Sequence, residues 1–298
     1  MDSKIEDMKE KVEFRVLNKY SHLLFNDDEG ENISTLVKKV ILDLSSPILK
    51  QIGEINKKLW LEKHTLFYIY WEIKRTYTYD ELLSSAFIHL GIRKRLETDG
   101  DDANKAYDET FACPICGAHA KQVSELHFTK RNWLGKHDVA MTLSGEVIVS
   151  KKFKDFFEDN HLKGLNFLPV YVGKKISEDC FQLSFLRELT VSEKTKFGID
   201  LFGQNLDIVN GKYVCLETDP YKCPKGDNLG KCILSEVYIK ENSIPVDADF
   251  IISQQTYGGR MNLFRPYHMF FCSQRAMQLM KEHSIKGFDY EVVHLVDE

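Results

Sequence analysis

Two stretches of this chain carry the same features in the same order, and that order constrains the fold more than any single motif. Ser124-Glu125-Leu126-His127-Phe128 matches Ser235-Glu236-Val237-Tyr238-Ile239 at a shift of 111 (235 − 124), and Asp138 matches Asp249 at the same shift. Further on the shift becomes 123. Ile148-Val149-Ser150 then meets Phe271-Cys272-Ser273, and Lys163-Gly164 meets Lys286-Gly287. Spacing kept over this length reads as one unit present twice, copy one about 113–170 and copy two about 223–293.

Each copy reads as strand–helix–strand. In copy one, residues 125–129 and 146–149 suit strands, and Ser150 is a good helix N-cap. Phe153, Phe156 and Phe157 then form one helical face, Gly164 stops the helix, and 165–170 is a strand. Copy two follows with cap Ser273, face Ala276, Leu279 and Met280, stop Gly287 and strand 288–293. The segment between the shifts, roughly 254–265, reads as a hairpin or exposed loop.

The N-terminal third looks different. Val12, Phe14 and Val16 alternate with Glu13 and Arg15, which suits a short strand. From Ile33 to about Arg95 the reading is helical, because Leu36, Val37, Val40, Ile41 and Leu44 recur at spacings of three and four. Pro47 interrupts that face, and Thr78-Tyr79-Asp80-Glu81 is a capping box before Leu82, Leu83, Phe87 and Leu90. Leu66-Phe67-Tyr68-Ile69-Tyr70-Trp71 reads as a buried helix face. The acidic run 97–109 reads as a solvated connector. The expected fold class is therefore α+β: a mostly helical region over 1–105, then over 106–298 a domain of two strand–helix–strand modules clamped by a structural zinc site.

The strongest local motif is Cys113-Pro114-Ile115-Cys116-Gly117. Two thiolates three residues apart can hold one metal ion from a tight turn, and glycine permits that turn's backbone. Structural zinc takes four ligands, so a second pair is required. Copy two offers Cys223, again followed by proline, and Cys232. The expected site is one zinc held by Cys113, Cys116, Cys223 and Cys232, with His119 or Cys215 as substitutes for one ligand. Two other readings stand beside it: structural thiols without metal, and a redox pair. The redox reading is weaker because the segment after Gly117 does not open a long helix. Cys180, Cys215 and Cys272 read as small buried apolar residues. Seven cysteines, an odd number, argue against a disulfide framework.

Catalytic constellations are scarce. Gly226-Asp227-Asn228-Leu229-Gly230-Lys231-Cys232 is one residue short of a phosphate loop and has cysteine where Ser or Thr must bind magnesium. His137 beside Asp138 suits a surface turn better than an acid–base pair. A net charge of −5 opposes broad nucleic-acid binding and suits a basic partner. The charged start has no signal-peptide core, and no run approaches the roughly 18–20 apolar residues that span a bilayer. A cytoplasmic location is expected.

Three segments also carry a resemblance: Cys113-Pro114-Ile115-Cys116-Gly117, then 145–154 around Ile148-Val149-Ser150-Lys151-Lys152-Phe153, then Leu162-Lys163-Gly164-Leu165. In this order the chain resembles the double-CxxCG immunity proteins of bacterial polymorphic toxin systems, over roughly 110–298. The resemblance implies a non-enzymatic cytoplasmic protein that binds and neutralises one toxin domain. It carries the metal-type cysteines to Cys113 and Cys116, and less closely to Cys223 and Cys232, whose spacing departs from CxxC. Tyr257, Arg260 and Phe264 are the candidate partner anchors, since tight interfaces centre on aromatic and arginine side chains. The competing reading is a zinc-ribbon nucleic-acid-binding protein or enzyme, supported by the cysteine turn with Lys121, Lys130 and Arg131 nearby.

Overall fold

A computed structural model describes residues 9–96, 106–128, 134–216, 223–258 and 265–297. Contacts divide them into two units, one of 9–79 with 198–216 and one of 80–197 with 223–297. Of the connector 97–109, residues 97–105 lie outside the described residues, and Tyr107–Asp108 form a short strand.

The first unit is a four-stranded sheet with a helix on one face. Strands β1 (Lys9–Leu17), β2 (Glu31–Asn32), β3 (Val37–Asp43) and β4 (Tyr68–Thr76) run in the order β2-β3-β1-β4, with α1 (Asn18–Ser21) after β1 and α2 (Ile48–Lys63) between β3 and β4. The alternation of Val12, Phe14 and Val16 puts all three on the face that α2 covers with Leu49, Ile52 and Leu59. Phe202, from the later segment, packs against Gly53 of α2, where a Cβ would meet its ring at 2.9 Å. A hairpin of Asn205–Val209 and Lys212–Leu216 docks on the same helix, with Trp60 Nε1 donating to the Val214 carbonyl at 2.9 Å.

The expected helical region is therefore corrected: the protein is mostly β. Segment 36–44 misled because its three-four spacing mixes residues from both faces of a strand. Phe14 and Val12 pair with Val40 and Leu42 over the core, whereas Ile41 points outward, half exposed. Val and Ile fit a pleated surface at least as well as a helix. Residues 66–71 likewise belong to a strand, β4 and its approach, with Phe67 and Tyr68 buried.

The second unit corrects the strand–helix–strand modules as well. It opens with α3 (Tyr79–Ser84), β5 (Phe87–Ile92) and β6 (Arg95–Leu96). Next come β7 (Leu126–Phe128), β8 (Val139–Thr142), β9 (Val147–Ser150), α4 (Lys151–Asp159) and β10 (Leu165–Val172). The chain continues as β11 (Lys175–Phe185), β12 (Glu188–Leu189), β13 (Val237–Lys240), β14 (Phe250–Gly258), β15 (Tyr267–Ser273), α5 (Gln274–Glu282) and β16 (Phe288–Val296). One sheet has the order β6-β8-β9-β11-β10-β7, the other β12-β14-β15-β5-β16-β13. Position by position the pairings have the same sense: parallel at both ends of the order and antiparallel between. The first sheet is built wholly from residues 95–185, with β11 between β9 and β10. The second takes in β5, which precedes the first sheet in the chain, between β15 and β16.

Two aspartates tie the sheets together. Asp138, at the start of β8, accepts from the Lys286 amide at 2.8 Å and from the Ser150 hydroxyl at 3.0 Å. Asp249, at the start of β14, accepts from the Lys163 amide at 3.0 Å and from the Ser273 hydroxyl at 2.8 Å. The two serines also cap their helices, accepting from the Phe153 and Ala276 amides. Asp138 is buried and engaged, not on a surface turn. Gly164 and Gly287 do not end helices, which stop at Asp159 and Glu282. They open β10 and β16 at φ +105° and +117°, with the other sheet's backbone against the position a Cβ would take.

Candidate metal centre

The Cys113–Cys116 turn projects from a short ribbon of Tyr107–Asp108 and Lys121–Gln122. Its backbone closes tightly: the Cys113 amide donates to the Ala118 carbonyl and the Gly117 amide to the Cys113 carbonyl, both at 2.8 Å. Gly117 takes φ +71° to allow it. A second turn starts at Cys223, where the Gly226 amide donates to the Cys223 carbonyl at 3.1 Å and Gly226 takes φ +82°. It continues into Asn228–Leu229, which pairs with Tyr257–Gly258 of β14.

These turns bring Cys113, Cys116 and Cys223 together, with their sulfurs within 4.8 Å of one another. Sγ of Cys223 lies 3.5 Å from that of Cys113 and 3.6 Å from that of Cys116. Thiolates about 2.3 Å from a tetrahedral ion sit about 3.8 Å apart, so these three sulfurs fit around one metal. Cys113 and Cys116 are buried, and Ala118 and Leu229 pack against them.

Burial sets how readily these thiols ionise. Burial, with the neighbouring thiols, pushes Cys116 up to about 12. Burial also raises Cys223. Burial opposes ionisation of Cys113 too, but the Cys116 and Ile115 amides outweigh it and lower its pKa. Gathering three thiolates in one place needs a positive ion to offset their repulsion.

Cys232 stands outside this group. It lies in the short strand Cys232–Ile233 and is exposed. Cys215 belongs to the first unit, in the strand Lys212–Leu216. Cys180 and Cys272 are buried in β11 and β15. No family model matches the chain, and no curated protein matches it. Among the described residues no helix is long and apolar enough to cross a membrane.

Two residues beside the sulfurs were not expected together. Asp227 Oδ2 lies 3.3 Å from Cys223 Sγ and 3.9 Å from Cys116 Sγ. His119 Nε2 donates to the same oxygen at 3.0 Å. The other oxygen, Oδ1, accepts from the Thr256 amide at 2.9 Å and its hydroxyl at 2.8 Å. Burial opposes ionisation of Asp227, yet these donors hold its pKa below the usual carboxylate range. Cysteine spacing pointed to Cys232, and no local pattern in the sequence marks Asp227 as a ligand.

Of the candidate partner anchors, Tyr257 lies in β14 opposite Tyr267, their rings 4.5 Å apart, and packs with Phe197 against the sheet's core. Arg260 and Phe264 lie outside the described residues, as do Lys130 and Arg131.

Proposed function

We propose that this chain is a cytoplasmic immunity protein that neutralises a cognate toxin domain by binding it, and that its cysteine group holds a structural zinc ion. One observation carries the reading. Cys113 and Cys116, both buried, meet the half-buried Cys223, from a turn 110 residues away (223 − 113), in one group. The family resemblance carries its metal-type cysteines to Cys113 and Cys116, and less closely to Cys223. Zinc suits them, being commonly bound by clustered thiolates in structural sites. An ion there would tie two distant segments into one scaffold, a stabilising role rather than a catalytic one. The net charge of −5 would complement a basic toxin surface and speed encounter.

The test is co-expression with the C-terminal domain of the protein encoded immediately upstream. Protection from that domain's toxicity and a complex that survives gel filtration are the expected outcome. Growth arrest despite full expression, with no complex formed, would overturn the proposal.

A further inference from the structure

The cysteine group has three sulfurs, and structural zinc takes four ligands. The fourth ligand expected from sequence, Cys232, lies outside the group. We infer that Asp227 supplies it through Oδ2, making the centre a Cys3Asp site with His119 as the residue that positions the carboxylate. This rests on the reading of the cysteine group as a metal centre.

Three features point to Asp227. Its Oδ2 approaches two of the three sulfurs, at 3.3 and 3.9 Å, and stands farther from the third, Cys113, outside the 4.8 Å that groups the sulfurs. An oxygen about 2.0 Å and a sulfur about 2.3 Å from one tetrahedral ion lie about 3.5 Å apart, which is the range seen. Its Oδ1 is pinned by both Thr256 donors, so the carboxylate is aimed before any ion arrives. Finally, Asp227 is buried, which shields its carboxylate from bulk water beside the sulfurs.

His119 is the weaker candidate for ligation. Its Nε2 is engaged by Asp227. Ligating carboxylates are commonly held by such a second hydrogen bond, which orients them. The donors are then two and two: Cys113 and Cys116 from the first turn, Cys223 and Asp227 from the second. Asp227 thus completes the second turn, four residues after Cys223 where Cys116 follows Cys113 by three. Three thiolates, one carboxylate and a divalent ion carry a net charge of about −2, and the His119 N–H on Asp227 disperses part of it.

Cobalt separates the possibilities, because each thiolate adds to the sulfur-to-metal charge-transfer band. The experiment is titration of Co²⁺ into the metal-free full-length chain under reducing conditions, followed by competition with Zn²⁺. Wild type is expected to show a tetrahedral cobalt spectrum with three thiolates. Asp227→Asn keeps an oxygen for Thr256 but puts a non-ligating NH₂ toward the sulfurs. It should weaken metal binding at least about 10-fold while leaving the band per bound cobalt unchanged. Asp227→Cys should bind and raise the band by roughly one third, a fourth thiolate on three. Cys232→Ser should match wild type in both readouts. His119→Ala should weaken binding about 10-fold with an unchanged spectrum.

Asp227→Asn binding as tightly as wild type would overturn the assignment, and so would Cys232→Ser losing a share of the band. A wild-type chain that binds no cobalt, or a Cys113→Ser variant with an unaltered spectrum, would instead remove the metal centre itself.

Discussion

Asp138 accepts the backbone N–H of Lys286 at 2.8 Å, joining the start of β8 in one sheet to the start of β16 in the other. Asp249 does the same for Lys163 at 3.0 Å. Each aspartate also returns its own amide to that lysine's carbonyl, at 2.7 and 2.9 Å. Both carboxylates therefore replace water for amides at the junction of the two sheets.

Removing either carboxylate should destabilise the protein. Asp138→Ala leaves the Lys286 amide and the Ser150 hydroxyl without an acceptor. A hydrogen bond to a charged group contributes about 1.5–3 kcal/mol, so a loss of about 2–3 kcal/mol is expected. Asp249→Ala should cost about the same. Urea unfolding of the two variants checks this; a change below about 0.5 kcal/mol in both would refute the joining role.

Gly164 should not accept a side chain. At φ +105° an alanine is strained, and its Cβ would collide with the Phe250 carbonyl oxygen. Strain and overpacking together predict a loss of about 2–4 kcal/mol for Gly164→Ala. Gly173→Ala is the control, since φ there is +61° and nothing lies within 4 Å of the added Cβ. A milder loss at Gly173, read from thermal midpoints, is the expected contrast.

The first unit should lose stability in acid through Glu13. The Lys74 ammonium donates to Glu13 at 2.7 Å, and that hydrogen bond, ahead of the cost of burial, holds the Glu13 pKa below its ordinary 4.5. A depressed carboxyl contributes stability that is full above the unfolded value and is lost as pH falls through the folded one. Glu13→Gln should therefore be less stable than wild type at pH 7, and the gap should close below about pH 4. Urea midpoints measured from pH 7 to pH 3 would show it. A gap independent of pH would mean that packing, not charge, is what Glu13 contributes.

Chelation should lower the thermal midpoint, and zinc should restore it. An ion present at about 100 times its dissociation constant stabilises by about 2.7 kcal/mol, which corresponds to about 5–10 °C for units of this size. Cys113→Ser should start at the lower midpoint and not respond to chelator. Equal midpoints with and without chelator in wild type would remove zinc from the stability of the fold.

Parts of this structure were legible in the residues. The alternation at Val12, Phe14 and Val16 did form β1, because a period of two places all three on one face. Ser150 and Ser273 did cap helices, because a short oxygen side chain before an apolar face satisfies an amide left free in the first turn. Segment 36–44 was not legible. Nine residues rich in Val and Ile match either period, and α2, packed on one face, decided in favour of a strand. At the metal centre, Cys113, Cys116 and Cys223 were within reach of spacing arguments. Asp227 was not, because one aspartate after a glycine turn looks like any loop residue until Thr256 and His119 are seen around it.

The sequence by itself determined where chain direction changes and which side chains meet locally: the cysteine turn and the two serine caps. These depend on neighbours within a few residues. Only the tertiary structure decided that β5 joins the sheet of the C-terminal half, and that Cys223 brings Asp227 rather than Cys232 to the sulfurs. The physical reason is that a strand's hydrogen bonds can be met by any edge of suitable register, and a ligand's position depends on where two distant turns meet. Both are settled by the assembled core, and no local pattern records them.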